Sequence, residues 1–176
     1  MTRRFIPIVI VLLVAAGCSG EAEDPTATYF EDAAVISTLY EAAALTHFTD
    51  YRTALEGATA ETGDRIFVEA NQTLFAGLSD AFDTAVTGLS GLTPPDTAVS
   101  EHDAWVSAAR SLREVFQSAD TQLASLTEAP AANTVVSTLP LADVQAAYRT
   151  ACENVAALSN GEPMTAIACE PPGNGA

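Results

Sequence analysis

The strongest constraint on this chain is the spacing of its apolar residues, which recur every three or four positions along four long stretches. From Thr28 the stripe runs Tyr29, Ala33, Ile36, Tyr40, Ala43, His47, Tyr51, Ala54. From Asp64 it runs Phe67, Ala70, Leu74, Leu78, Ala81, Phe82, Ala85, Leu89. A third stripe reads Val99, His102, Val106, Ala109, Leu112, Phe116, Ala119, Leu123, Leu126, and a fourth Leu141, Val144, Tyr148, Ala151, Val155, Leu158. That period matches the 3.6-residue turn of an α-helix and not the two-residue alternation of a strand, so each stretch predicts an amphipathic helix with one buried face. No segment reads as a strand. Four such helices with short connections predict an all-α fold, an antiparallel four-helix bundle, and the many Ala residues on the stripes let its helices approach closely.

Local signals place the boundaries. Thr28 and Glu31 fit a capping box, in which the hydroxyl accepts from a free amide and the acid reaches back. Gly57 and Ala60-Glu61-Thr62-Gly63 end the first helix. Gly88 and Gly91 loosen the end of the second, and Pro94-Pro95 stop it. Thr93-Pro94-Pro95-Asp96 then reads as the start of the third, with a capping residue, prolines in the first turn and an acid near the positive helix end. That helix is expected from about Pro95 to Thr127. Ala131 to Leu139, β-branched and Thr-rich, is a loop or a short helix. A fourth helix opens at Pro140 and stops at Asn160-Gly161, after which Glu162 to Cys169 folds back. The expected domain is 28–170, followed by a disordered Pro- and Gly-rich tail, 171–176.

The first residues have the layout of an export signal: Arg3 and Arg4, then the apolar run Phe5 to Ala16, then small residues. The run is shorter than the roughly 20 residues of a permanent membrane span. Ala15-Ala16-Gly17-Cys18 resembles the lipobox of bacterial lipoproteins. In that group the cysteine receives a diacylglyceryl group, the signal is cut before it, and the new amine gains an acyl chain such as palmitate. The resemblance implies a signal peptide over 1–17, a lipid on Cys18 and a polar tether over 18–27. One acyl chain holds only marginally, whereas two or more anchor a protein stably. The expected location is therefore the extracytoplasmic face of a cell membrane, reached through the N-terminal lipid. Ser19 favours the outer membrane in a two-membrane cell.

Charge narrows the partners. The chain has 7 basic and 23 acidic residues, and the basic ones are all Arg. Two of them precede Cys18, which leaves 5 against 23, a net charge of −18 after cleavage. Nucleic acid is excluded as a partner, because its phosphates need basic residues, and anionic lipid headgroups are repelled for the same reason. Cys152 and Cys169 remain as an even pair in an oxidising compartment, and a disulfide between them is expected over two free buried thiols.

Catalytic motifs are missing: there is no Gly-rich phosphate loop, no Gly-x-Ser-x-Gly elbow and no His-Glu-x-x-His. His47 and His102 are the side chains that titrate near neutral pH. A metal or acid–base site in the bundle would combine them with Glu101 or Asp103. Bundle metal sites, however, use Glu three residues before His, and here those positions are Ala44 and Val99. The simpler reading makes both histidines satisfied interior or helix-end residues. Likewise Trp105, Tyr29, Tyr40, Tyr51 and Tyr148 read as core before they read as the wall of a ligand pocket. Asp80, Asp83, Glu101, Asp103, Glu114 and Asp120 lack calcium-loop spacing and read as a solvated face.

Two further patterns, Leu89-x-x-Leu92-x-Pro94-Pro95-x6-His102 and Ala151-Cys152-x16-Cys169, resemble those of a loose group of helical bacterial membrane lipoproteins of uncharacterised function. The resemblance implies the anchor, the bundle and the disulfide, and no activity. The resulting expectation is a non-catalytic, cofactor-free domain that binds an envelope protein partner or a small ligand. The alternative is a metal-binding bundle using His47 and His102. A partner adaptor should expose an apolar patch, whereas a small-ligand binder should enclose an aromatic-lined pocket.

Overall fold

The computed structural model describes residues 24–159 and Cys169, and every regular element among them is an α-helix. The five helices are α1 (Pro25–Glu56), α2 (Gly63–Gly91), α3 (Val99–Leu123), α4 (Ala129–Thr138) and α5 (Leu141–Ala157). The signal, Cys18, most of the tether, the Asn160-Gly161 stop, the return to Cys169 and the tail 171–176 lie outside the described residues.

Several boundaries differ from the sequence reading, each for a local reason. Helix α1 starts three residues before Thr28, inside the expected tether. Asp24 is its N-cap, its side chain accepting from the Thr26 amide at 2.9 Å. Pro25 then fits the first turn, where its missing N–H costs nothing. Thr28 does not cap; its hydroxyl instead donates to the Asp24 carbonyl at 3.4 Å. Helix α3 starts at Val99, not Pro95, because Asp96–Ala98 forms a turn closed by Ala98 N–H to Pro95 O at 2.8 Å. Val99, at the very start of the helix, is 41 % exposed and is not core. The connector at 131–139 is helical: Pro130 sits in the first turn of α4, and Ala132 anchors it in the core. The described residues therefore hold five helices rather than four.

Helix α1 packs on α2, α2 on α3 and α3 on α5, while the short α4 lies against α2 and α3. Two glycines fix the α1–α2 register. Ile36 lies over Gly88, its side chain 3.1 Å from where a Cβ would stand, and the His47 ring occupies the place of a Cβ at Gly77. From Ile36 to His47 α1 advances eleven residues while α2 retreats eleven, so the helices run in opposite directions. Eleven residues are about three turns, so both close approaches fall on one line along each helix. Gly88 thus serves packing and does not loosen the helix, which continues through Gly91. Helices α2 and α3 are tied along their length. Gln72 donates to the carbonyls of Leu123 (2.8 Å) and Leu126 (3.2 Å), Arg113 pairs with Asp83 at 3.1 Å, and Arg110 donates to Ser90 at 3.1 Å.

The core is aromatic at its centre. Phe82 of α2 is fully buried and meets Tyr40 of α1 (ring centroids 4.1 Å), Phe116 of α3 (5.3 Å) and Tyr148 of α5 (5.7 Å). Trp105 closes the other side of Tyr148 at 6.5 Å. The structure joins Cys152, fully buried on α5, to Cys169 with a Cα–Cα distance of 5.5 Å, within the usual range for a bridge.

Candidate functional site

Helix α1 is apolar on two faces. Its core positions include Ala33, Ser37, Tyr40 and Ala44, all buried. At about 100° per residue, Val35 and Ala42 point about 170° away from the mean direction of these four, and Leu39 and Leu45, about 130° and 110° away, flank them. Val35 is 55 %, Leu39 66 % and Leu45 58 % exposed, three of the large hydrophobics the fold leaves outside. Single exposed leucines are ordinary, whereas a contiguous patch on one helix face is a mark of an interaction surface.

Leu39 also borders a groove of about 220 Å³ along the α1–α2 seam, walled by Ile36, Tyr40 and Ala43 on one side and Ala81, Ala85 and Gly88 on the other. The threonines of the seam and of the outer face of α1 add little polarity. Thr46, Thr49, Thr73 and Thr84 each donate their hydroxyl to the carbonyl four residues back, at 3.0, 2.8, 2.9 and 3.1 Å. A hydroxyl bonded to its own helix leaves the methyl as the part offered outward. Past His47 the same seam opens into a second cavity of about 290 Å³, where Tyr51, Ile66 and Leu74 meet the carboxylates of Asp50 and Glu69. The His47 ring, seated on Gly77, separates the two.

The structure does not bring the two histidines together. His102 lies at the start of α3, where its Nδ1 shares a buried hydrogen bond of 3.0 Å with the Tyr29 hydroxyl. Positions 29 and 47 of α1 are eighteen residues apart, about 27 Å at about 1.5 Å per residue, so His47 stands far from His102. Among the described residues no three His, Cys, Asp or Glu side chains form a metal-holding group. Of the aromatic set, Tyr29, Tyr40, Trp105 and Tyr148 are core, and Tyr51 is the member left half-buried at a cavity. The acidic set is largely solvated, with Asp83 paired to Arg113. No described helix is long and apolar enough to cross a membrane. Comparison with protein families, curated proteins and solved structures finds no match.

Burial sets the ionisation of the Tyr29–His102 pair. It lowers the imidazole below its ordinary 6.5, against the raising pull of the Asp103 carboxylate, and pushes the Tyr29 hydroxyl up to about 12. The folded state therefore prefers neutral His102, and the unfolded chain takes up its proton first. The stability tied to this preference is present above pH 6.5 and is lost as pH falls from there through the lower folded value. Denaturant midpoints of the native chain should fall between pH 7.5 and 5.5, above the range where carboxylates titrate. His102→Gln, which keeps a polar group for Tyr29, should flatten that slope; an unchanged slope would show that His102 is not its source.

The outer stripe of α1 escaped the sequence reading although its signal was present. Positions 35, 39, 42 and 45 recur every three or four residues as the inner stripe does, but one apolar face is all that a helix needs to join a core.

Proposed function

We propose that this chain is a lipid-tethered, extracytoplasmic, non-catalytic binding domain, anchored through Cys18, that receives a protein partner on the outer face of α1. The scaffold is read as an antiparallel bundle of α1, α2, α3 and α5, with α4 as a strap. The observation that carries the reading is the second apolar face of α1, at Val35, Leu39 and Leu45. A helix that had only to cover the core would be polar there. The lipobox resemblance supplies the anchor, and the negative charge argues for a protein surface over nucleic acid or anionic lipid.

The test is a photo-crosslinking side chain placed at Leu39 in living cells, with the exposed Glu114 of α3 as the control position. A discrete adduct at Leu39 and none at Glu114 is expected. Cys18→Ala should move the chain to the soluble fraction and remove the adduct. Equal labelling at both positions, or none at Leu39, would end the adaptor reading, and a Cys18→Ala chain that stayed membrane-bound would end the anchor.

A further inference from the structure

We infer that the partner docks an amphipathic α-helix along the α1–α2 seam, its apolar face in the groove and basic residues at both ends of that face. The inference rests on the adaptor reading and specifies its partner.

Three features of the seam select the occupant. First, the cavities along it, about 220 and 290 Å³, lie at or under the lower end of the roughly 300–1,000 Å³ of small-ligand pockets. They suit inserted side chains better than a whole ligand. Second, the surface offers a partner side chains and no free backbone. Helix backbone groups are already paired, so an added strand has nothing to bond to, whereas a helix needs only an apolar groove and anchors at i, i+3, i+4 and i+7. Leu39 and Ile36 on one side, and the small residues Ala81 and Gly88 on the other wall, provide such a groove. Third, the rim is acidic. At about 100° per residue, Asp32 and Asp50 both lie within about 20° of the direction of Leu39, one on each side along α1, and both are exposed. Asp80, one turn before Thr84, is exposed on the α2 lip. The basic residues of these two helices do not offset them. Arg52 is about 140° around α1 from Leu39, and Arg65 is held by Glu69 at 2.8 Å.

Charge complementarity therefore calls for a basic partner. A second copy of this chain would set Asp32, Asp50 and Asp80 against their own likes, and an anionic bilayer would meet the same repulsion. The spacing is specific as well. Asp32 and Asp50 are eighteen residues apart, about 27 Å along α1, so the partner helix should carry Arg or Lys about five turns apart with apolar residues between.

The full chain, purified in mild detergent with its cellular processing, would be titrated with three synthetic helices of about 20 residues. One carries leucines on one face and Arg at both ends, the second has Glu in place of Arg, and the third has the first composition scrambled so that no face forms. Amide shifts at Ile36, Leu39, Ala43 and Ala85, which line the groove, locate binding. The basic helix should bind there, weaken with salt, and lose its binding in Leu39→Ser. The triple variant Asp32→Asn, Asp50→Asn, Asp80→Asn should weaken it about tenfold, the sum of three exposed charge pairs, while leaving the fold intact. Equal binding of the acidic or scrambled helix, or an unchanged triple variant, would overturn the basic-helix inference. So would Leu39-dependent self-association in sedimentation, or Leu39-dependent binding to anionic vesicles. An adduct at Leu39 in cells combined with charge-insensitive peptide binding would remove this inference and leave the adaptor reading standing.

Discussion

Phe82→Ala is expected to destabilise the domain by about 3–5 kcal/mol, the usual cost of emptying a buried phenylalanine site. The environment explains why the upper part of that range applies. The ring is fully buried and its neighbours come from three different helices, Tyr40, Phe116 and Tyr148. A cavity closes by movement of whatever surrounds it, and here closure would require α1, α3 and α5 to move toward α2 together. The two edge-on contacts, to Tyr40 and Tyr148, add about 0.5–1.5 kcal/mol each beyond burial, and both are lost with the tilted contact to Phe116. Against a total of about 5–15 kcal/mol for a domain, the variant should unfold at a far lower urea concentration. Leu39→Ala, a deletion of similar chemistry on the exposed face of α1, should stay within about 0.5 kcal/mol of the native chain. Equal midpoints for the two variants would mean that Phe82 is not at the junction of the four long helices.

Helical period was the legible part of this fold, and inter-helix register was not. The stripes of α2 and α3 name the residues that are buried, from Leu74 and Phe82 to Leu112 and Phe116, because a one-sided helix must hide its apolar side. Trp105, three residues after His102 and four before Ala109, lies on the same face and is buried with them. Asp24-Pro25 was a readable helix start that Thr28 and Glu31 masked, because two capping patterns lay within one turn. Helix α4 was ambiguous for a physical reason. Its Val and Thr residues favour strands or loops, and Ala132 is its one buried residue, so packing on α2 and α3 decides its state. The pairing of His47 with Gly77 was not legible at all. Nothing local says that residue 47 of one helix meets residue 77 of the next; that follows only once Ile36 has settled on Gly88. A shared histidine site, the alternative the sequence leaves open, does not form: His102 of α3 bonds Tyr29 near the start of α1, and His47 lies about five turns further along it. The binding face was legible in principle, but only by asking which helix has more apolar surface than its core contacts can use.

Breaking the Cys152–Cys169 bridge is expected to cost about 3 kcal/mol, as the chain-entropy model gives for a short closed loop in the unfolded chain. The native geometry asks little strain of the backbone, since the two Cα atoms are 5.5 Å apart. How the bridge is removed matters. Cys152 is fully buried on α5, between Ala151 and Val155 on the face that packs on α3. A serine there would bury a hydroxyl and add a penalty of its own. Cys169 is only partly buried against the core, so Cys169→Ala tests the cross-link more cleanly. Its Cys152 thiol stays in place as a small hydrophobe. The variant should lose about 3 kcal/mol in urea denaturation, and reductant should bring the native chain to the same midpoint while leaving the variant unchanged. Peptide mapping without reductant should recover the two cysteines as one linked fragment. Free thiols at both positions, or a native chain indifferent to reductant, would show that α5 is held by its packing on α3 alone. In that case the loss of about 3 kcal/mol would be absent from the variant as well.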